Sequence, residues 1–361
     1  MAGGVALLCA LPAIVAALPV PGSSLTAAAL RARILASADV AYQGYDESSV
    51  DLGLPNLPDL GNVSALLDGV TDQEAWYRSP GEWRADVVTT AGETDTYQTG
   101  LGIYEWDYSS NVLTQVIGAE PVRLPRAADL LPPALALRLL GFASRADRIS
   151  RLASQRVAGV DAAGLRLVPA DPQTTVGAVD IWADPADGLP VEVTLTQRGA
   201  RSPALVTRFL DLSLSRPALA TVTPDPAPGI GFTTTALPDI TRILNRFAPP
   251  LPARIAGLDR AAAPAGLSDV AAYGTGFSRI AVLPLPGGVG QHALSAADDA
   301  GAGGISLTNG TGALIQTPLL TVLLAQDQSG GPVYLLTGAV TPALLVRAGS
   351  ALLNQTGPAG P

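Results

Sequence analysis

The chain has 361 residues, 48% of them hydrophobic and 15% charged, with a net charge of −9, one histidine and one cysteine. That length accommodates two domains of ordinary size, and that apolar content excludes a disordered chain. The acidic balance argues against nucleic-acid binding, and one cysteine excludes an internal disulfide framework or a thiolate metal cluster.

Residues 4–20, GVALLCALPAIVAALPV, form an apolar run of about signal-peptide length, marginal for a spanning helix, which takes roughly 20 residues. Pro12 and Pro19 favour an export signal over a stable span, although no basic residue precedes Arg31. Cys9 follows Leu7-Leu8, which fits poorly the small residues that precede an acylated cysteine. Residues 1–24 therefore read as an export signal or N-terminal membrane anchor. The protein is expected to be extracytoplasmic, secreted or tethered to the cytoplasmic membrane.

Residues 25–40 read as a helix, with Thr26 as cap and Leu30, Ile34 and Ala38 as an apolar stripe at spacing four. A strand is expected over 41–45. Residues 51–61 carry two prolines and read as an ordered loop or lid, with a short helix over 63–67.

The stretch 75–116 holds three of the four tryptophans, Trp76, Trp83 and Trp106, and four of the eight tyrosines. It alternates in twos. Trp83, Ala85 and Val87 share one parity, as do Tyr104, Trp106 and Tyr108. Turn residues at Pro80-Gly81, Ala91-Gly92, 100–102 and 109–111 break it into short strands, the pattern of an antiparallel meander.

Residues 126–152 read as a broken helical region. Pro132-Pro133 opens it, and Ser144 with Asp147 suggests a capping box for a second helix. Strands follow at 156–159, 165–168, 179–182, 190–196 and 206–214, with Asp187-Gly188 a hairpin signal. A sheet of about ten strands tends to curl. Residues 215–229 carry four prolines and read as a linker. Beyond it, a helix is expected over 237–247 and strands over 278–283, 304–308, 313–316, 319–324 and 333–336. Thr341-Pro342 caps a final helix to Leu353, and the tail 354–361 is expected to be disordered. The fold class is α+β: a curved antiparallel half-barrel over 25–214, the linker 215–229, and a smaller α+β domain over 230–353.

The order of motifs resembles a known family. A leading helix enters a strand, then come WY-x-x-P-x-x-WR (76–84), a strand ending Tyr104-Glu-Trp106-Asp107, VAGxDAAGLRL (157–167) and WxDPxxGLP (182–190). This resembles the LolA-like exported proteins, and within them the RseB/MucB type. YGTGFSRIAVLPLP (273–286) and GPVYLLTGAVTPALL (331–345) look like the C-terminal module of the actinobacterial two-domain members. The resemblance implies a half-barrel with an apolar cavity. It also implies a non-enzymatic role as a lipid or lipoprotein sensor partnered by a membrane-bound anti-sigma factor. The proline-rich insertion at 51–61 and the second domain depart from the simple carriers and put a shuttle role in doubt.

No enzyme signature emerges. His292 sits beside Gln291 in a polar stretch read as an exposed loop, and no G-x-S-x-G elbow supports a triad. Several His or Cys metal ligands are excluded by count, and Gly287-Gly288-Val-Gly290 is read as lacking the strand-to-helix context of a phosphate loop. No cofactor is expected. With no lysine in the chain, arginine reflects composition as much as selection. Trp76, Trp83, Tyr97, Tyr104, Trp106, Trp182 and Phe209 are the residues expected to border an apolar cavity for an acyl chain. The alternatives are that they are plain core, in a structural or interaction protein of the envelope with a filled barrel, or that the chain is a lipoprotein carrier.

Overall fold

A computed structural model describes residues 20–53, 66–89, 92–117, 125–225, 229–236, 251–261 and 271–356. The expected export segment, the body of the 51–61 loop, the helix over 237–247 and the end of the tail lie outside these residues.

Helix α1 (Ala27–Leu35) starts where the sequence predicts, the Thr26 hydroxyl accepting from the Ala29 amide, and buries Leu30 and Ile34. Eleven antiparallel strands follow: β1 (Tyr42–Asp51), β2 (Asp68–Ser79), β3 (Glu82–Thr89), β4 (Gly92–Thr99), β5 (Gly102–Asp107), β6 (Val112–Ile117), β7 (Arg148–Val157), β8 (Val160–Val168), β9 (Val176–Ala183), β10 (Pro190–Gln197) and β11 (Pro203–Ser213). β1 pairs with both β2 and β11, so the two meanders β1–β6 and β7–β11 join into one long sheet.

Helix α2 (Pro132–Phe142) opens on its two prolines, which cost nothing there because first-turn amides have no intrahelical partner. With α1 it covers the inner face of β8–β11, where Leu30, Ile34, Ala136 and Leu140 meet Leu165, Val179, Ile181 and Val193. The expected second helix after Ser144 does not form. The Ser144 amide does donate to Asp147, yet β7 starts at Arg148. The local turn chemistry of a capping box serves equally to enter a strand.

The linker is ordered where described. A single turn of 3-10 helix, Leu219–Val222, lies on β2–β4 with Val222 buried, and Arg78 donates to the Pro217 carbonyl. Residues expected to open the second domain instead form β12 (Gly231–Ala236), which pairs in parallel with β6 and makes the sheet twelve-stranded.

After a two-stranded ribbon, β13 (Arg254–Ile255) and β14 (Leu258–Asp259), comes a second sheet. Its strands are β15 (Ala271–Tyr273), β16 (Ile280–Leu285), β17 (Gly303–Leu307), β18 (Gly310–Gln316), β19 (Thr321–Asp327) and β20 (Val333–Gly338), in the order β15-β16-β20-β19-β18-β17. Helix α3 (Gly287–Asp299) packs Ala293, Leu294 and Ala297 on one face of it, against Leu324 and Val333. Helix α4 (Pro342–Thr356) packs Leu344, Leu345, Ala348 and Leu352 on the other, against Leu323, Ala325 and Leu336.

Helix α3 corrects the reading of Gly287-Gly288-Val-Gly290, which does lie at a strand-to-helix junction. Three glycines in four residues conceal a helix from propensity. Gly290 is there for contact: a Cβ would lie 2.7 Å from Val333 Cβ. The run still lacks G-x-G-x-x-G spacing, and β16 belongs to an antiparallel sheet. His292 is exposed on this helix rather than in a loop.

Candidate functional site

The long sheet has two faces, and the register decides which rings share one. Tyr42 stands opposite Tyr77 and Tyr77 opposite Trp83, which puts all three on the inner, helix-covered face. Arg84 stands opposite Trp76 and Tyr97, and Tyr97 opposite Tyr104, so Trp76, Tyr97 and Tyr104 share the outer face. Trp106, two residues on from Tyr104, joins them. The two alternating ring sets of 75–116 therefore lie on opposite sides of the sheet.

The inner face holds a cavity of about 250 Å³. Its floor is Tyr42, Tyr77, Trp83 and Ile103, and its roof is Leu131, Pro133, Ala134 and Leu137 of α2 and the turn before it. Tyr42 and Tyr77 stack at 5.1 Å and 9°, and Tyr42 meets Phe209 edge-on at 5.5 Å. The Tyr77 hydroxyl donates to the Ala38 carbonyl at 2.7 Å, leaving its ring as an apolar wall. Burial holds the Tyr42 and Tyr77 phenols above their ordinary value, Tyr77 at about 12, so both are neutral.

Two charged groups stand at the rim. Arg126 pairs with Glu105 at 3.2 Å, and Asp129 accepts from the Arg126 amide and from Arg138. A second, more open cleft of about 550 Å³ shares Gln98 and Ile103 with this cavity and is lined by Leu101, Val116 and Ile117. Leu101, at the β4–β5 turn, is 80% exposed.

Deeper along β1 the inner face turns polar. Asp46 stands opposite Gln73, which donates to it at 3.0 Å and to the Ala127 carbonyl at 3.1 Å. Asp46 Oδ1 and Gln73 Oε1 are buried without partners, and burial raises the Asp46 carboxyl to about 8. Phe209 stands opposite Asp46 in the register and meets Tyr42 of the aromatic cavity edge-on. The absent side chain of Gly44 makes room for it: a Cβ there would lie 3.1 Å from the Phe209 ring.

Of the seven rings singled out in the sequence, only Trp83 lines the inner cavity. Phe209 lies behind it, 1% exposed. Trp182 takes the parity opposite to the buried Val179, Ile181 and Ala183, and its indole N–H donates to the Ala153 carbonyl. Tyr104 lines a separate outer groove of about 370 Å³ under the linker, with Leu113, Leu219, Val222 and Phe232. Trp76 and Tyr97 flank the Arg84 guanidinium at 5.0 and 5.1 Å, and Trp106 stacks on Tyr108 at 5.0 Å. The cavity walls that sequence reasoning missed are Tyr42 and Tyr77. Their signal was Tyr77 taking the same parity within β2 as the small, buried Ala75.

No protein-family model matches the chain, and no curated protein matches it. Among solved structures it is similar to a chain of the Pseudomonas aeruginosa MucA/MucB complex, at 15% identity over 90% of this chain and 97% of that one, with a TM-score of 0.51. A structure of MucB in complex with MucA(peri) matches at 16% identity over 90% and 97%, with a TM-score of 0.48. A LolA superfamily protein from Nitrosomonas europaea matches at 11% identity over 56% of this chain and 99% of that one, with a TM-score of 0.26. The likeness is one of fold: the chain has the α+β, curved-sheet architecture of the RseB/MucB type that its motif order resembles.

Proposed function

We propose that the protein is a non-enzymatic extracytoplasmic binding protein of LolA/RseB type. Its inner cavity takes an acyl chain of a lipid or lipoprotein, and it acts as an envelope sensor partnered by the exported part of a membrane-bound anti-sigma factor. The observation that carries this reading is the roofed aromatic cavity of Tyr42, Tyr77 and Trp83. Concave, mostly apolar space with few polar groups at its rim is what an aliphatic chain needs, because burial of apolar surface supplies about 25 cal/mol per Å². At about 250 Å³ the cavity lies just under the usual ~300–1,000 Å³ of ligand pockets, and the Leu101 cleft adjoins it through Gln98 and Ile103.

The partner assignment rests on the fold likeness to MucB, a protein solved in complex with MucA. Among the described residues no helix is long and apolar enough to cross a membrane. The residues 1–19 that would carry export or tethering are not among those described.

Uptake of a fluorescent fatty acid by the purified protein tests the cavity. Ala134→Trp, which sets a large ring at the exposed lip of the roof and narrows the entry, is expected to lower uptake at least tenfold, or about 1.4 kcal/mol, with the fold intact. Uptake that is unchanged in Ala134→Trp places the acyl chain elsewhere and removes the basis of this reading.

A further inference from the structure

We propose that the outer face of β1–β5 docks a basic, arginine-bearing segment of a partner protein, independently of what the inner cavity holds. The register aligns Tyr45, Glu74, Asp86, Asp95 and Trp106 in one row across five strands, with Glu47 opposite Asp72 in the next. Three acidic pairs therefore stand directly opposite one another: Glu47 and Asp72, Glu74 and Asp86, Asp86 and Asp95, and burial raises the Asp86 carboxyl to about 7, so that it is partly protonated near neutral pH. Such pairs destabilise a sheet and serve no packing purpose.

The cations nearby do not balance them. Arg84 pairs with Asp86 at 2.5 Å and Asp95 at 2.8 Å, and Arg208 with Glu47 at 3.3 Å. Among the described residues Asp72, Glu74 and Glu93 make no ion pair. Asp95 is wholly buried, and its Oδ1 has no hydrogen-bond partner; nor has the indole N–H of Trp106, the residue opposite it. The site thus sets the unpaired carboxyls of Asp72, Glu74 and Glu93 beside a buried Asp86–Asp95 pair and the buried Trp106 N–H.

Arg84 shows what such a face recognises. Its guanidinium edge meets two carboxylates while Trp76 and Tyr97 flank it at 5.0 and 5.1 Å, a planar cation held by acids and rings together. The open rows beside it offer the same pieces, Glu74 and Glu93 with the stacked Trp106–Tyr108 pair, and Tyr108 is 44% exposed. Among the described residues the linker meets the Arg78 end of this face; Glu74 and Tyr108 are exposed, while Asp86 and Asp95 are buried beside them. Charge complementarity selects a basic polypeptide and repels nucleic acid.

The test uses a fluorescein-labelled decapeptide alternating arginine and threonine, read by fluorescence anisotropy. The citrulline version of the same peptide keeps its shape without its charge. The arginine peptide is expected to bind and the citrulline peptide not, with affinity falling about tenfold or more between low salt and about 0.3 M salt. The double variant Glu74→Gln/Glu93→Gln is expected to lose about tenfold in affinity. A control of equal charge change on α3, Asp298→Asn/Asp299→Asn, is expected to bind like the parent. Both variants should keep the parent melting temperature and fatty-acid uptake, which separates this result from the cavity's. Equal binding of the citrulline peptide, equal loss in the α3 control, or calcium binding at these carboxylates without peptide binding would each overturn the proposal.

Discussion

Asp46 carries the clearest pH signature of any single residue. Burial raises its carboxyl from 3.8 to about 8, with the Gln73 hydrogen bond opposing the rise and Asp72 adding to it. Between those values the folded protein keeps a proton that the unfolded chain releases. The stability from this group is therefore full below about pH 4 and lost as pH rises through about 8. Asp46→Asn is expected to stabilise the protein by on the order of 2–4 kcal/mol at pH 8 and by little at pH 4, measured by urea unfolding at both. An equal gain at both would show that Asp46 does not titrate there. Arg84 is the opposite case. Removing it strands Asp86 and the buried Asp95, so Arg84→Ala is expected to cost about 3–5 kcal/mol in the same experiment. At this scale the sequence is legible within a strand and not between strands. The alternation of Trp83-Ala85 and of Tyr104-Trp106 is real, yet which set joins which depends on the register, and Arg84 pairing with Tyr97 sends the two sets to opposite faces.

Among the elements, α1, α2 and α4 were legible because caps and prolines mark their starts. α3 was not, because its first turn is glycine, and β12 was not, because a parallel strand added at a sheet edge leaves no hairpin signal in its own sequence. The junction of β1 with β11 depends on one small residue. At Gly44 a Cβ would lie 2.5 Å from the Asp211 carbonyl as well as against Phe209, so Gly44→Ala is expected to destabilise by about 1–3 kcal/mol. A shift in the chemical-denaturation midpoint checks this, and an unchanged midpoint would mean that the junction relaxes freely.

The whole molecule is bound across its two sheets. The Thr175 hydroxyl donates to the Leu319 carbonyl at 2.6 Å and its amide to the Ala339 carbonyl at 3.0 Å, while the Thr341 amide donates to the Gln173 carbonyl. Leu319 and Phe277 belong to the same apolar core as α1 and β8–β10, and Phe142 meets Phe277 edge-on at 5.9 Å. A seam that shares a core predicts one calorimetric transition rather than two. Thr175→Val, which leaves the Leu319 carbonyl without this partner, is expected to lower stability by about 1–3 kcal/mol. None of this seam was legible in the sequence, since residues 171–175 have no periodicity and their partners lie about 150 residues away in the chain.

The central claim is that the space between β1–β3 and α2 is open to an acyl chain. Native mass spectrometry of the protein purified from its own envelope, without detergent, tests it most directly. The account predicts added mass matching a lipid or lipoprotein acyl species, absent from Ala134→Trp. Bare protein mass in both forms, with no uptake of added fatty acid, would contradict it and leave the filled half-barrel of a structural envelope protein.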